Sequence, residues 1–206
     1  MTTDVLVREL AAQVRPVVPV GHPLVRFGGW VAFAAVWIAA AVATLGVRGD
    51  LAAAARAPEF MWQVGLPLAL GLTATMVAFV ASVPGPASRW RSVTPLAVLM
   101  SWLLLLVVGA LSADSGHVGA GARCMRNLVA FSVPPGLLLY LMLRRAAPLD
   151  RGTVGMLAAV GMSALAQVGT RFVCHNDGLL HVLAWHCSFV CVLGGVGILV
   201  GRALFR

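Results

Sequence analysis

The amino-acid sequence predicts an all-α polytopic membrane protein, with six transmembrane helices in three hairpins and both termini cytoplasmic. Three observations predict it. Of 206 residues, 60% are apolar and 11% charged, a composition too oily for a polar shell to enclose a soluble core. Apolar runs close to the roughly 20 residues that a spanning helix needs recur along the chain. All fifteen basic residues are arginine, and they divide unequally between the two sides that those runs define.

The first 24 residues read as a cytoplasmic segment ahead of a six-helix domain, 25–206. Within it Thr3 to Val14 is helical by pattern, since Leu6, Leu10 and Val14 form an apolar stripe opposite Asp4, Arg8 and Arg15, and Pro16 ends the run. Those charges also interrupt any apolar core of a cleavable signal peptide. An amphipathic helix of this kind lies on a lipid surface or docks in a partner's groove, and the pattern alone leaves both open.

Phe27 to Val47, Met61 to Val83 and Ser92 to Ala113 contain no charge, and each is long enough to span. Asn127 to Leu143 and Gly152 to Thr170 are shorter and equally uncharged, while Gly178 to Gly201 carries two histidines. Pro134-Pro135 should kink the fourth span by freeing backbone carbonyls. The basic, proline-containing turns "VPGPASRWRS" and "RRAAPLDRG" join antiparallel helices. Arg8, Arg15, Arg26, Arg89, Arg91, Arg144, Arg145, Arg151, Arg202 and Arg206 share a side with both termini, and five arginines face the other. The positive-inside rule makes the richer side cytoplasmic, in a bacterial inner membrane. The formal net charge of +8 then reflects topology and contact with anionic membrane lipid rather than nucleic acid.

One stretch resists that bland description. "CHNDGLLHVLAWH", Cys174 to His186, gathers a cysteine, an aspartate and three of the five histidines. Asn176 suits a helix N-cap, Asp177 a first turn and Trp185 a membrane interface, which leaves the histidines unexplained. Asp177 and His181 are four apart, so the carboxylate could orient the imidazole. His186 follows His181 by five, about 140° round a regular helix, so one helix cannot aim both at one ion. A shared site would need Cys174, Cys124 or His117 to fold over from the loops. Cys124 and Cys174 face the same extracytoplasmic compartment, and in an oxidising one they are candidates for a disulfide. Thiolate with imidazole also suits transient zinc, copper or another thiophilic ion, and no cofactor is certain. Cys187 and Cys191, four apart in the last span, read as small packing residues.

These residues also carry a resemblance. A short amphipathic start, six spans, "C-x-x-x-L" from Cys124 to Leu128, the proline pair Pro134 and Pro135, the run Leu141 to Leu149, and "C-x-x-D-x-x-x-H-x-x-x-W-H" through Cys174, Asp177, His181, Trp185 and His186 resemble the NrsF-type membrane anti-sigma factors. The resemblance covers nearly the whole chain. It implies a protein that is no enzyme, holds an extracytoplasmic-function sigma factor at the inner membrane, and senses heavy-metal or redox stress through Cys124 and Cys174. His117, His175, Asp177, His181 and His186 would tune that response, and Leu6, Leu10, Val14 and Arg8 would meet the sigma factor.

Other function classes fare less well. An ion-coupled transporter should hold an ionisable group at mid-membrane, and no span centre contains Asp, Glu or Arg. A membrane thiol-disulfide oxidoreductase would want C-x-x-C, whereas Cys187 and Cys191 are spaced C-x-x-x-C. That class and a metal-binding membrane protein remain the alternatives, since Cys124 and Cys174 could exchange electrons with a quinone. Neither the oligomeric state nor the identity of the sigma factor is legible.

Overall fold

A computed structural model describes residues 2–13, 19–83, 89–112, 118–146 and 148–205. Six helices are long and apolar enough to cross a membrane: α2 (Pro23–Leu45), α4 (Pro58–Ala81), α5 (Arg89–Ser112), α6 (Ala122–Arg144), α7 (Arg151–Arg171) and a final composite helix. The composite begins as α8 (Leu179–His181), widens into a π-helical segment (Val182–Cys187) and resumes as α9 (Ser188–Leu204). Ahead of them lies α1 (Thr3–Ala12), and the short α3 (Leu51–Ala54) lies between the first two spans.

Helix starts follow local chemistry. Pro23 and Pro58 sit in the first turns of α2 and α4, where a missing N–H costs nothing. Asp150 caps α7 by accepting from Thr153 N at 3.1 Å. α6 begins five residues before the apolar run, because its first turns accommodate Arg123 and Arg126. Leu6 and Leu10 of α1 are exposed, and Val14 lies outside the described residues.

α7 is the central helix. Two thirds of its apolar window (67%) is buried, against 11% for α2 and 17% for the apolar part of α5, which places those two at the periphery. The cause is the run of small residues along α7. Lipid supplies no hydrophobic drive between helices, so close backbone contact must supply the packing. Gly155 lies against Gly197 and Gly201 of α9, Gly161 against Gly71 and Thr75 of α4, and Gly169 against Ile38 and Phe131. Outward, Val25, Val36, Leu104, Leu111, Val192 and Leu199 are exposed, a surface suited to acyl chains rather than water.

The proline pair leaves its mark where expected. Pro134 has no N–H to offer the carbonyl of Ala130, and the indole of Trp37 on α2 donates to that oxygen instead, at 3.1 Å. Trp30, about two turns earlier on the same face of α2, donates to Pro135 O at 2.9 Å. Two tryptophans of one helix thus hold the interrupted stretch of another.

Candidate functional site

The site lies at the bundle end that holds the 46–57 and 172–178 loops. α7 ends at Arg171, and Cys174 N bonds back to Thr170 O at 2.8 Å, so the chain turns sharply and keeps Cys174 over the helix end. Arg48 N donates to Phe172 O at 3.0 Å, tying the first loop to the third.

Charge secures this turn. Arg48 grips Asp177 with two bonds, Nη1 to Oδ1 at 2.7 Å and Nη2 to Oδ2 at 2.6 Å, and also holds Asp50 at 2.7 Å. Arg171, fully buried, donates to the same Asp177 carboxylate and to Asn176 O at 3.1 Å. Both guanidiniums lie over the Phe60 ring, 5.9 and 5.5 Å from its centre, a favourable place for a partly desolvated cation. Burial opposes the charge on Asp177, but the bond from Arg48 and the nearby Arg171 outweigh it and hold the carboxyl below its ordinary range. Asp50 is held at about 2 by its bond from Arg48.

Here the structure corrects two expectations. Asp177 serves the arginines and does not orient His181, whose Nδ1 pairs with Val118 O at 2.8 Å. Nor do Asn176 and Asp177 cap the last helix. It starts at Leu179 with Gly178 at the cap, and Asn176 Oδ1 accepts from Gly178 N at 2.9 Å.

The larger correction concerns the histidines. From Val182 to Cys187 the helix is π-helical, and its i→i+5 bonding brings residues five apart towards one face. His181 and His186 therefore converge, with ring centres 5.2 Å apart. His186 Nδ1 pairs with Gln167 Oε1 of α7. Its Nε2 is buried and has no hydrogen bond among the described residues.

Opposite the two rings stand the two cysteines. Cys124 Sγ is 3.2 Å from Cys174 Sγ and 3.5 Å from His181 Nε2, while Cys174 Sγ is 3.8 Å from the same nitrogen. All four residues are buried, and one ligand atom from each falls within 4.8 Å of the others. Both thiols are free. The hydrogen bond from Cys124 holds the Cys174 thiol below its ordinary range despite its burial. A cavity of about 710 Å³, lined by Arg123, Arg126, Asn127 and His175, leads to Cys124, Cys174 and His181.

His175 is exposed, and His117 lies outside the described residues. Cys187 is buried and Cys191 exposed. Sequence reasoning missed Gln167, Arg48 and Arg171 as members of this region. A glutamine inside an otherwise apolar span is costly unless it has a partner, and that signal could have found Gln167.

The comparison with known families decides the relationship. A family model described as "NrsF: Negative regulator of sigma F" matches residues 10–206. The chain belongs to the NrsF family. As an NrsF protein it is a negative regulator of a sigma factor, and a sigma factor is its partner. The matched region includes the whole thiol and imidazole cluster, whereas Leu6 and Arg8 of α1 precede it. Neither a curated protein nor a solved structure matches the chain.

Proposed function

We propose that this NrsF protein sits in the bacterial inner membrane with both termini cytoplasmic, holds an extracytoplasmic-function sigma factor there, and releases it when Cys124 and Cys174 react. It acts by sequestration and not by catalysis. The observation that carries the reading is the 3.2 Å contact between the two sulfurs at one end of a helical bundle. A thiolate beside a thiol is the reactive arrangement for both oxidation and capture of a thiophilic metal. Oxidation of this thiolate and thiol would form one S–S bond and pass two electrons and one proton to an oxidant such as a quinone or hydroperoxide, which takes its second proton from water. Because Cys124 belongs to the first turn of α6 and Cys174 follows the end of α7, either event pulls on two rigid helices that run to the opposite face.

On that face α1 offers exposed Leu6 and Leu10, with Arg8 on the opposite side of the helix to meet the groove's rim, as an anchor for the sigma factor in the helix-in-groove manner. The deciding experiment is affinity purification of the full chain from detergent-solubilised membranes with mass spectrometry of what elutes. An extracytoplasmic-function sigma subunit should be enriched, and treatment with cadmium or a thiol oxidant should deplete it. Recovery of the chain without any sigma subunit would overturn the sequestration reading.

A further inference from the structure

We propose that Cys124, Cys174, His181 and His186 form a four-coordinate site for a divalent d¹⁰ ion, zinc in the resting protein. This deepens the sensing role proposed for the two cysteines and, as regards signalling, rests on it. The site itself stands on geometry.

Two thiolates and two imidazoles are a donor set that favours zinc in tetrahedral coordination. Bond lengths near 2.3 Å to sulfur and 2.05 Å to nitrogen imply donor separations of roughly 3.3–3.8 Å around such an ion. The separations here are 3.2 Å between the sulfurs and 3.5 and 3.8 Å from them to His181 Nε2. The sulfurs need to part by only about 0.5 Å, and the remaining ligand atom lies within 4.8 Å of the others.

The surroundings of the ligands point the same way. A backbone carbonyl only accepts, so Val118 O fixes the proton of His181 on Nδ1 and leaves Nε2 with its lone pair beside the sulfurs. Gln167 Oε1 does the same for His186, leaving a buried Nε2 otherwise without a hydrogen bond. A carbonyl or amide oxygen behind each metal-bound imidazole is the arrangement that orients such ligands. The π-helical segment has the cost of an irregular helix, and its geometric result is to bring the two imidazoles to one point. Electrostatics agree: two thiolates cancel the charge of a divalent ion, so the loaded site is neutral in a buried setting that also holds Arg171. The cavity past Arg123 and Arg126 provides entry.

The test uses the full chain purified in detergent without chelator under reducing conditions. Elemental analysis should find about one zinc per chain. After its removal, Co²⁺ should give the intense visible absorption of a tetrahedral ion together with a near-ultraviolet thiolate charge-transfer band. Cys124→Ser and His186→Ala should lose both signals, and Cys187→Ser should keep them. Gln167→Leu should keep the tetrahedral spectrum while weakening affinity about 10–100-fold. Monodisperse elution of each variant excludes misfolding as the cause. A wild-type chain that is monodisperse, reduced and spectrally silent with Co²⁺ would overturn the site, as would a Cys187→Ser loss equal to that of Cys124→Ser. Sigma retention is measured on the same preparations. Metal-free wild-type protein that still retains its sigma factor and fails to take up Co²⁺ removes the metal site alone. Zinc-loaded protein that captures no sigma factor supports the site and removes the sequestration reading.

Discussion

Arg171, with no exposed surface, ends the most buried helix of the bundle on the carboxylate of Asp177, six residues further along the chain. Asp177→Asn would leave that guanidinium buried without its counter-charge, while Arg48 keeps Asp50. Breaking a fully buried pair costs about 3–5 kcal/mol. Since the Asp177 side chain is 43% exposed, solvent reduces this to about 2 kcal/mol. The carboxyl's depressed pKa means that its contribution is complete above the unfolded value near 3.9 and is lost as pH falls through the folded one. Melting of wild-type protein in detergent should therefore be flat above about pH 4 in this component and fall below it. The Asn variant should lack that acid limb.

Gly155 predicts a packing effect. A methyl group there would press on Gly197 O and lie 2.8 Å from Gly201 Cα, and neither backbone atom can swing aside. Gly155→Ala should cost about 1–3 kcal/mol by overpacking. Gly29→Ala, with no atom within 4 Å of the new carbon, should be neutral or slightly stabilising. Comparing the two melting temperatures tests the central position of α7.

If the two thiols receive the signal, Cys124→Ser and Cys174→Ser should each abolish induction by cadmium or an oxidant, and the double variant should behave like either single one. His181→Ala should shift the inducing dose, and Cys191→Ser should do little. Transcripts of the sigma regulon provide the readout. A double variant responding at the wild-type dose would exclude these sulfurs as the receiver.

Leu6→Asp with Leu10→Asp places charge on the exposed stripe of α1. Constitutive regulon expression at normal protein level is expected. Unchanged repression would assign the helix to the lipid surface.

Orientation calls for engineered probes, since Cys124 and Cys174 are 7% and 6% exposed and would react slowly with a bulky reagent. Ala53→Cys in α3 and Leu149→Cys beyond α6 introduce thiols at exposed positions. A membrane-impermeant maleimide applied to spheroplasts should label the first and spare the second. The opposite pattern would invert the topology.

The bundle was legible in sequence because hydropathy is a property of whole segments. Six apolar runs located six helices, with ends displaced where charged first turns such as that of Arg123 and Arg126 still fold as helix. The cysteine pair was legible too, since topology alone sends both thiols to one side. The convergence of His181 with His186 was not, because it depends on a π-helical turn that no residue pattern announces. Asp177 was assigned the wrong partner for a related reason. Spacing of four favours a neighbour on the same helix, but the helix starts after Asp177, and its real partners Arg48 and Arg171 lie on other segments.

The indole bonds from Trp30 and Trp37 to the proline stretch of α6 turn that helix into a lever with a fulcrum. Half of the lever carries Cys124, the other half ends at Arg144, and α2 is the post on which it pivots. A small displacement of the sulfur end is thus expected to arrive at the far end as a swing of the second arm. The post is joined in the chain to α1 through residues 13–22, so such a swing would move the arm relative to the segment proposed to meet the sigma factor.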